Sequence, residues 1–177
     1  MRICLVDGTS AAGVPGEAAA YVAELGPVLA EDHKVTIVTV DSGLLGTLRA
    51  LRRLRKALAA DRPELVHINN VSGWPLVLLL LVIRETGIVR PALALGIHGE
   101  SLHRRQLGLN RRSTRAFGLV ISPSASLLDG YLAQNYFARA IHDVIPYEMP
   151  YHASRLMASY RRLLATRRAG DLGDRAA

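Results

Sequence analysis

Residues 62–98 read RPELVHINNVSGWPLVLLLLVIRETGIVRPALALGIH, and this stretch decides the fold. Two short runs in it, ELVHIN and ALALGIH, are apolar on nearly every residue rather than on every second one. That pattern is typical of strands covered on both faces. Between them, residues 74–85 are long and apolar enough for a buried helix. The stretch therefore predicts a strand–helix–strand unit with parallel strands.

The same alternation extends along most of the chain. Further strands are predicted for RICLVD, KVTIVTV, GLVISPS and IHDVIPY, and further helices for residues 15–31, 44–60, 101–115 and 124–136. Together they predict an α/β fold, a three-layer Rossmann-like domain whose parallel sheet has about six strands. We expect strand order 3-2-1-4-5-6, because that order accommodates six strands.

Beyond residue 150 the pattern changes to one amphipathic helix, whose apolar residues recur at spacings of three and four. We expect residues 1–150 to form the Rossmann-like domain and residues 151–168 to form a C-terminal helix that packs back on it. Residues 169–177 are polar, and we expect a disordered tail.

The composition limits the classes of ligand. There are 22 basic and 15 acidic residues, and the net charge of +7 favours phosphate-bearing ligands, anionic lipid or nucleic acid. Aromatic residues make up only 5% and no nucleic-acid-binding motif appears, so we expect no nucleic acid partner. The single cysteine, Cys4, excludes a disulfide framework within the chain. No export signal or run of ~20 apolar residues is present, so we expect a cytoplasmic protein.

In an open parallel sheet, ligands bind beyond the carboxyl ends of the strands, near the point where the strand order reverses. The loops and helix starts that follow the predicted strands therefore hold the candidate site. The candidate binding residues are Gly13, Gly16, Glu17, Asn69, Asn70, Gly99, Glu100, Arg104, Ser122 and Ser124, and the candidate catalytic residue is His98.

Each of these residue types suits a particular chemistry. The loop around Gly13 and Gly16 lets backbone N–H groups approach a phosphate, although its spacing is neither Walker A nor G-x-G-x-x-G. His98 can hydrogen-bond a sugar hydroxyl or phosphate, or polarise a leaving group. The alternatives are a flexible connection for the loop and a histidine satisfied by the backbone. Asn69 and Asn70 suit hydroxyl-rich ligands. No histidines have metal-ligand spacing, so we expect no metal.

The second predicted helix is basic, with no acidic residue among residues 44–60. Its basic face and its apolar face are predicted to be opposite one another. The basic face comprises Arg49, Arg52, Arg53 and Lys56, and the apolar face comprises Leu44, Leu48, Leu51 and Leu58. Such a helix can dock on an anionic membrane, and each basic residue contributes about 1 kcal/mol to the binding free energy near the surface. The alternative is an ordinary amphipathic helix of a Rossmann-like fold, in which the arginines only make the outer face soluble.

Several segments carry a family resemblance: GVPGEAAAYVAELGPVLAEDHKVTIVTV, RPELVHINNVSGWPL, LGIHGE, VISPSASLLDGYL and HDVIPYEMP. Over about residues 1–150 the chain resembles the N-terminal, acceptor-side domain of retaining GT-B glycosyltransferases of family 4. The resemblance implies that Gly13, Gly16 and Glu17 line the cleft near the donor phosphates and that His98 approaches the transferred sugar. It also implies that the basic helix docks on the inner face of the membrane.

The resemblance further implies a nucleotide-sugar as co-substrate, no other cofactor, and a sugar acceptor that is lipid-linked or another glycan. No segment resembles the donor-binding half, so we expect the chain to be inactive alone. Either a second polypeptide supplies that half, or the chain is a fragment or a binding-only derivative. Two alternatives remain open. One is a non-catalytic scaffold on a membrane surface, and the other is a nucleotide-binding Rossmann protein with Asp41 near the ribose.

Overall fold

Strands and helices alternate along the chain, as the sequence predicts for an α/β fold. A computed structural model describes residues 1–8, 17–86, 90–97, 113–146 and 151–173. The elements are β1 (Arg2–Gly8), α1 (Glu17–Ala30), β2 (Lys34–Val40), α2 (Gly43–Asp61), β3 (Leu65–Asn69), α3 (Gly73–Glu85), β4 (Ala92–Gly96), a 3₁₀ turn (Thr114–Ala116), β5 (Leu119–Ser122), α4 (Ala125–Leu132), β6 (Ile141–Val144) and α5 (Tyr151–Gly173).

All six strands are parallel and form one sheet in the order β2-β1-β3-β4-β5-β6. The predicted order, 3-2-1-4-5-6, is therefore wrong, because β3 lies inside the sheet and β2 at its edge. Burial explains the difference. Every residue of β3 is buried, whereas β2 carries polar residues between its apolar ones and leaves Ile37 48% exposed. A strand that is apolar on both faces gains most from having neighbours on both sides.

The sheet separates two apolar cores and so forms three layers, as predicted. The helices α1 and α5 cover one face, and α2, α3 and α4 cover the other. The step from β1 to β2 runs in the opposite direction from the later steps, so right-handed crossovers place α1 on the face opposite α2 and α3.

The helix α2 buries a different stripe from the predicted one. Its buried side chains include Ala50, Leu54 and Leu58, whereas Leu44 and Leu48 are 61% and 43% exposed. At 100° per residue, Leu44 and Leu48 lie roughly 80–120° around the helix axis from Leu54. The predicted apolar face therefore does not coincide with the buried one, and these two leucines lie on the solvent side.

The helix α5 lies against α1, β4 and β5, with Leu156, Tyr160 and Leu163 buried. It continues to Gly173, so residues 169–173 are helical and do not belong to the predicted tail. Residues 174–177 lie outside the described residues.

Two buried tyrosine–histidine pairs connect α5 to the rest of the domain. The hydroxyl of Tyr21 lies 2.6 Å from Nε2 of His152, and the hydroxyl of Tyr160 lies 2.5 Å from Nδ1 of His67. His152 also places Nδ1 2.9 Å from the carbonyl of Pro146. Burial lowers the pKa of His152 and raises that of Tyr160 well above its usual value. His152 and Tyr160 are therefore neutral at neutral pH. His67 is a core residue, as the sequence suggests.

Candidate functional site

The site follows from the strand order. Parallel strands end at the same edge of a sheet, and here the order reverses between β1 and β3, since β2 lies on one side of β1 and β3 to β6 on the other. Ligands of open α/β sheets bind at such a switch point. The predicted order would have put the crevice between the first and fourth strands. The observed order moves it to the residues that end β1 and β3.

Asn69 and Asn70, both predicted to bind ligand, lie at this switch point. Asn69 is the last residue of β3 and is completely buried. Asn70 has a left-handed backbone, with φ of 50°, and its Nδ2 donates a hydrogen bond to the carbonyl of Gly8 over 3.3 Å. A Cβ at Gly8 would lie 2.3 Å from the carbonyl oxygen of Asn70, so only glycine fits there. These contacts join the ends of β1 and β3.

Asp7 also ends β1 at the switch point, next to Asn69 in the strand register. Its side chain is only 5% exposed, and its Oδ1 has no hydrogen-bond partner among the described residues. Burial raises the pKa of this carboxyl from 3.8 to about 6. Asp7 begins the candidate stretch after the first predicted strand, but it was not among the predicted binding residues. The available signal was a carboxylate near the end of an otherwise apolar strand.

Ser122 and Ser124 lie at the same edge but farther along it. Because β4 separates β5 from β3, Ser122 is roughly 10 Å from the end of β3. The hydroxyl of Ser122 donates to the carbonyl of Ser124 over 2.8 Å and accepts from the Ser124 N–H over 3.3 Å. Ser124 begins α4, with its hydroxyl 2.8 Å from that of Ser126. Both hydroxyls shape the turn into α4.

The remaining predicted site residues follow β1 or β4 in the sequence. Six of them lie outside the described residues: Gly13, Gly16, His98, Gly99, Glu100 and Arg104. Glu17 is the first residue of α1. The two strands that precede these residues, β1 and β4, end at the same edge of the sheet with β3 between them.

A second surface lies along α2. Its predicted basic residues, Arg49, Arg52, Arg53 and Lys56, are all exposed. Leu44 and Leu45, 61% and 69% exposed, begin the same helix. The neighbouring helix α3 begins at the same edge with Trp74, which is 38% exposed. Apolar and basic groups therefore share one side of the domain.

Within residues 1–8, 17–86, 90–97, 113–146 and 151–173, no group of three or more His, Cys, Asp or Glu residues could hold a metal ion. None of the helices in those ranges combines the length and the apolar character that crossing a bilayer requires.

The parallel sheet, its two helical layers and its switch point define a Rossmann-like domain, and the solved structures that it resembles have the GT-B-like form of that fold. UDP-GlcNAc 2-epimerase from Methanocaldococcus jannaschii has a TM-score of 0.55 and 11% sequence identity, covering 82% of this chain and 45% of that one. A co-structure of S. aureus MnaA with UDP has a TM-score of 0.55 and 13% identity, covering 79% and 43%.

A putative UDP-N-acetylglucosamine 2-epimerase from Listeria monocytogenes has a TM-score of 0.54 and 14% identity, covering 80% of this chain and 44% of that one. The chain therefore spans less than half the length of these solved chains. No protein-family model matches the chain, and no curated protein matches it in sequence. At these identities the likeness establishes the fold, a partial GT-B-like unit.

Proposed function

We propose that this chain is the acceptor-binding half of a retaining, family-4-like glycosyltransferase that acts with a donor-binding half. The observation that carries the proposal is the set of neutral amides, Asn69 and Asn70, at the switch point of a GT-B-like fold. Neutral amides donate to and accept from sugar hydroxyls without attracting a bare phosphate. The similarity to sugar-nucleotide enzymes of about twice the length supports a role in sugar-nucleotide chemistry.

In this proposal the two halves divide the work. The chain holds the acceptor, with His98 near the transferred sugar and Gly13, Gly16, Glu17 and Arg104 near the donor phosphates. The partner half binds the nucleotide-sugar and supplies most of the stabilisation of the leaving diphosphate, which is the larger electrostatic contribution in such reactions. No cofactor beyond the nucleotide-sugar takes part.

We expect the purified chain to transfer no sugar alone and to become active when a donor-binding half is added. In the reconstituted complex, His98→Ala should lower kcat by roughly 100-fold or more, because positioned acid–base groups contribute about that much. The matched control is His33→Ala, which changes a histidine just before β2, at the opposite edge of the sheet. Turnover of UDP-GlcNAc by the isolated chain, or an unchanged kcat for His98→Ala, would contradict this division of work.

A second candidate function, docking on an anionic membrane, is favoured by the surface of α2. The exposure of Leu44, Leu45 and Leu48 supports membrane docking, because these leucines lie on the solvent side of α2 together with its basic residues. A surface that combines exposed apolar side chains with basic ones suits the boundary between lipid headgroups and acyl chains. Membrane docking would bring a lipid-linked acceptor to the crevice, or would serve a scaffold without catalysis.

In liposome flotation we expect the chain to bind vesicles that contain phosphatidylserine and to lose this binding in the double variant Arg52→Glu, Arg53→Glu. Reversing two charges removes about 4 kcal/mol, since each basic residue contributes about 1 kcal/mol near such a surface. Leu44→Ser with Leu45→Ser should weaken binding in both low and high salt.

The matched control is Arg161→Glu with Arg168→Glu, which makes the same change of charge on exposed positions of α5, on the other face of the sheet. If this control weakens flotation as much as the α2 variant does, net charge alone drives binding and the docking surface is wrong.

A further inference from the structure

A carboxyl group that the proposed function does not use lies at the switch point. Asp7 faces the layer of α1 and α5, since Ile3 and Leu5 belong to that core and side chains alternate along a strand. It is 95% buried, and the sheet neighbour of its strand end is the buried amide of Asn69. Within the described part of the chain, no basic side chain pairs with Asp7 and its Oδ1 accepts no hydrogen bond.

Such a group is costly to keep, because a buried carboxylate without a partner has lost its hydration and gained nothing in exchange. The pKa of Asp7, raised to about 6 by burial, reports that cost. Unpartnered buried charges in crevices are typical of functional sites, where the missing partner is the ligand. The position of Asp7 therefore calls for a hydrogen-bond donor that is not among the described residues.

The charge of the carboxyl selects among ligand groups. A phosphate beside Asp7 would place two anions together, which disfavours it. A pair of adjacent hydroxyls suits the position, because a carboxylate offers two acceptor oxygens. The amide of Asn70, bonded to the carbonyl of Gly8, lies at the same pair of strand ends.

We infer that Asp7 binds the vicinal diol of a sugar ring or ribose at the ends of β1 and β3, and that phosphate groups bind elsewhere along the edge. The identity of the ligand as a sugar or nucleotide-sugar rests on the proposed function. Asp7 is then the residue that selects for hydroxyls in this site. The acidic residue that binds ribose in dinucleotide-binding domains follows the second strand, and here that residue, Asp41, is exposed beside the edge strand.

The test is calorimetric titration of the full chain with four probes: uridine, 2′,3′-dideoxyuridine, methyl α-glucopyranoside and pyrophosphate. We expect uridine or the glucoside to bind, and Asp7→Asn to weaken that binding about 10- to 100-fold, the usual loss for a hydrogen bond to a charged group. Uridine against its dideoxy analogue identifies a ribose diol, and the glucoside identifies a pyranose diol. Pyrophosphate binding should not change.

The matched control is Asp129→Asn, which makes the same substitution at an exposed position of α4. The inference is overturned if Asp7→Asn binds the diol probe as tightly as the wild type does, if neither diol probe binds at its highest soluble concentration, or if pyrophosphate competes with the diol. A diol probe that depends on Asp7, together with no sugar transfer when a donor-binding half is added, would uphold this inference and defeat the proposed function. Asp7→Ala, measured in parallel, should lose the same binding.

Discussion

Asp7→Asn should raise the melting temperature of the domain by roughly 6–12 °C at pH 7.5. The pKa of Asp7 rises from 3.8 to about 6 on folding, so ionising it in the folded state costs about 3 kcal/mol. Asparagine has nearly the same shape and no charge, and it removes that cost. For a domain of this size each kcal/mol corresponds to about 2–4 °C. Functional residues often destabilise the fold that holds them, which is the known trade-off between stability and function.

The pH dependence of the folding stability determines the direction of this change in melting temperature. A raised folded pKa means that the protonated carboxyl favours folding below pH 3.8, and that this contribution is lost as the pH rises through about 6. The advantage of Asp7→Asn should therefore be full at pH 7.5 and shrink toward zero near pH 4. Thermal unfolding of both proteins and of Asp129→Asn across this range checks it. A lower melting temperature for Asp7→Asn at pH 7.5 would mean that the carboxyl supports the fold, and would also count against its role in binding.

Tyr160→Ala should lower the free energy of unfolding by about 4 kcal/mol, which is the usual cost of removing a large aromatic ring from a core. Tyr160 is completely buried between α5 and the sheet, and its hydroxyl bonds the ring of His67. Tyr160→Phe keeps the ring and removes only the hydroxyl, so it should cost about 1–3 kcal/mol. Urea unfolding followed by circular dichroism measures both values.

A double-mutant cycle separates the hydrogen bond from the packing. The cost of Tyr160→Phe should fall in a His67→Leu background, because the imidazole that bonds the hydroxyl is gone. The control is Tyr131→Phe, which removes a tyrosine hydroxyl from the core on the other face of the sheet. If Tyr160→Phe lowers the free energy of unfolding equally with and without His67, the hydrogen bond between the two residues does not stabilise the packing of α5 on β3.

The strands of this fold were readable from local pattern, and their order was not. Short runs without alternation, such as residues 65–69 and 92–96, predict strands covered on both faces because burial acts on each residue separately. The order depends on which strand gains most from two neighbours, which is a comparison between distant segments. The polar residues in β2 and the exposure of Ile37 mark β2 as the edge strand, but only when β2 is compared with the fully buried β3.

The candidate site was predicted in part for the same reason. Asn69 and Asn70 follow a predicted strand, and any parallel sheet brings them to the binding edge. Their position beside β1, and with it the importance of Asp7, depends on the reversal between β1 and β3. Ser122 satisfied the same rule about strand ends, yet its hydroxyl is used within its own turn. The pairing of Tyr21 with His152 spans 131 residues and leaves no local pattern.

By itself the sequence determined the class of fold. The hydrophobic periodicity of each segment, its length and its β-branched residues are local properties, and they predict which segments become buried strands or helices. It also determined that polar residues such as Asn69 would end up at one edge, since parallel strands share a direction. Only the tertiary structure decided which strand ends are neighbours, which leucines of α2 face water, and that Asp7 is buried without a described partner. The physical reason is that desolvation depends on every group packed around an atom, and most of those groups are distant in the chain.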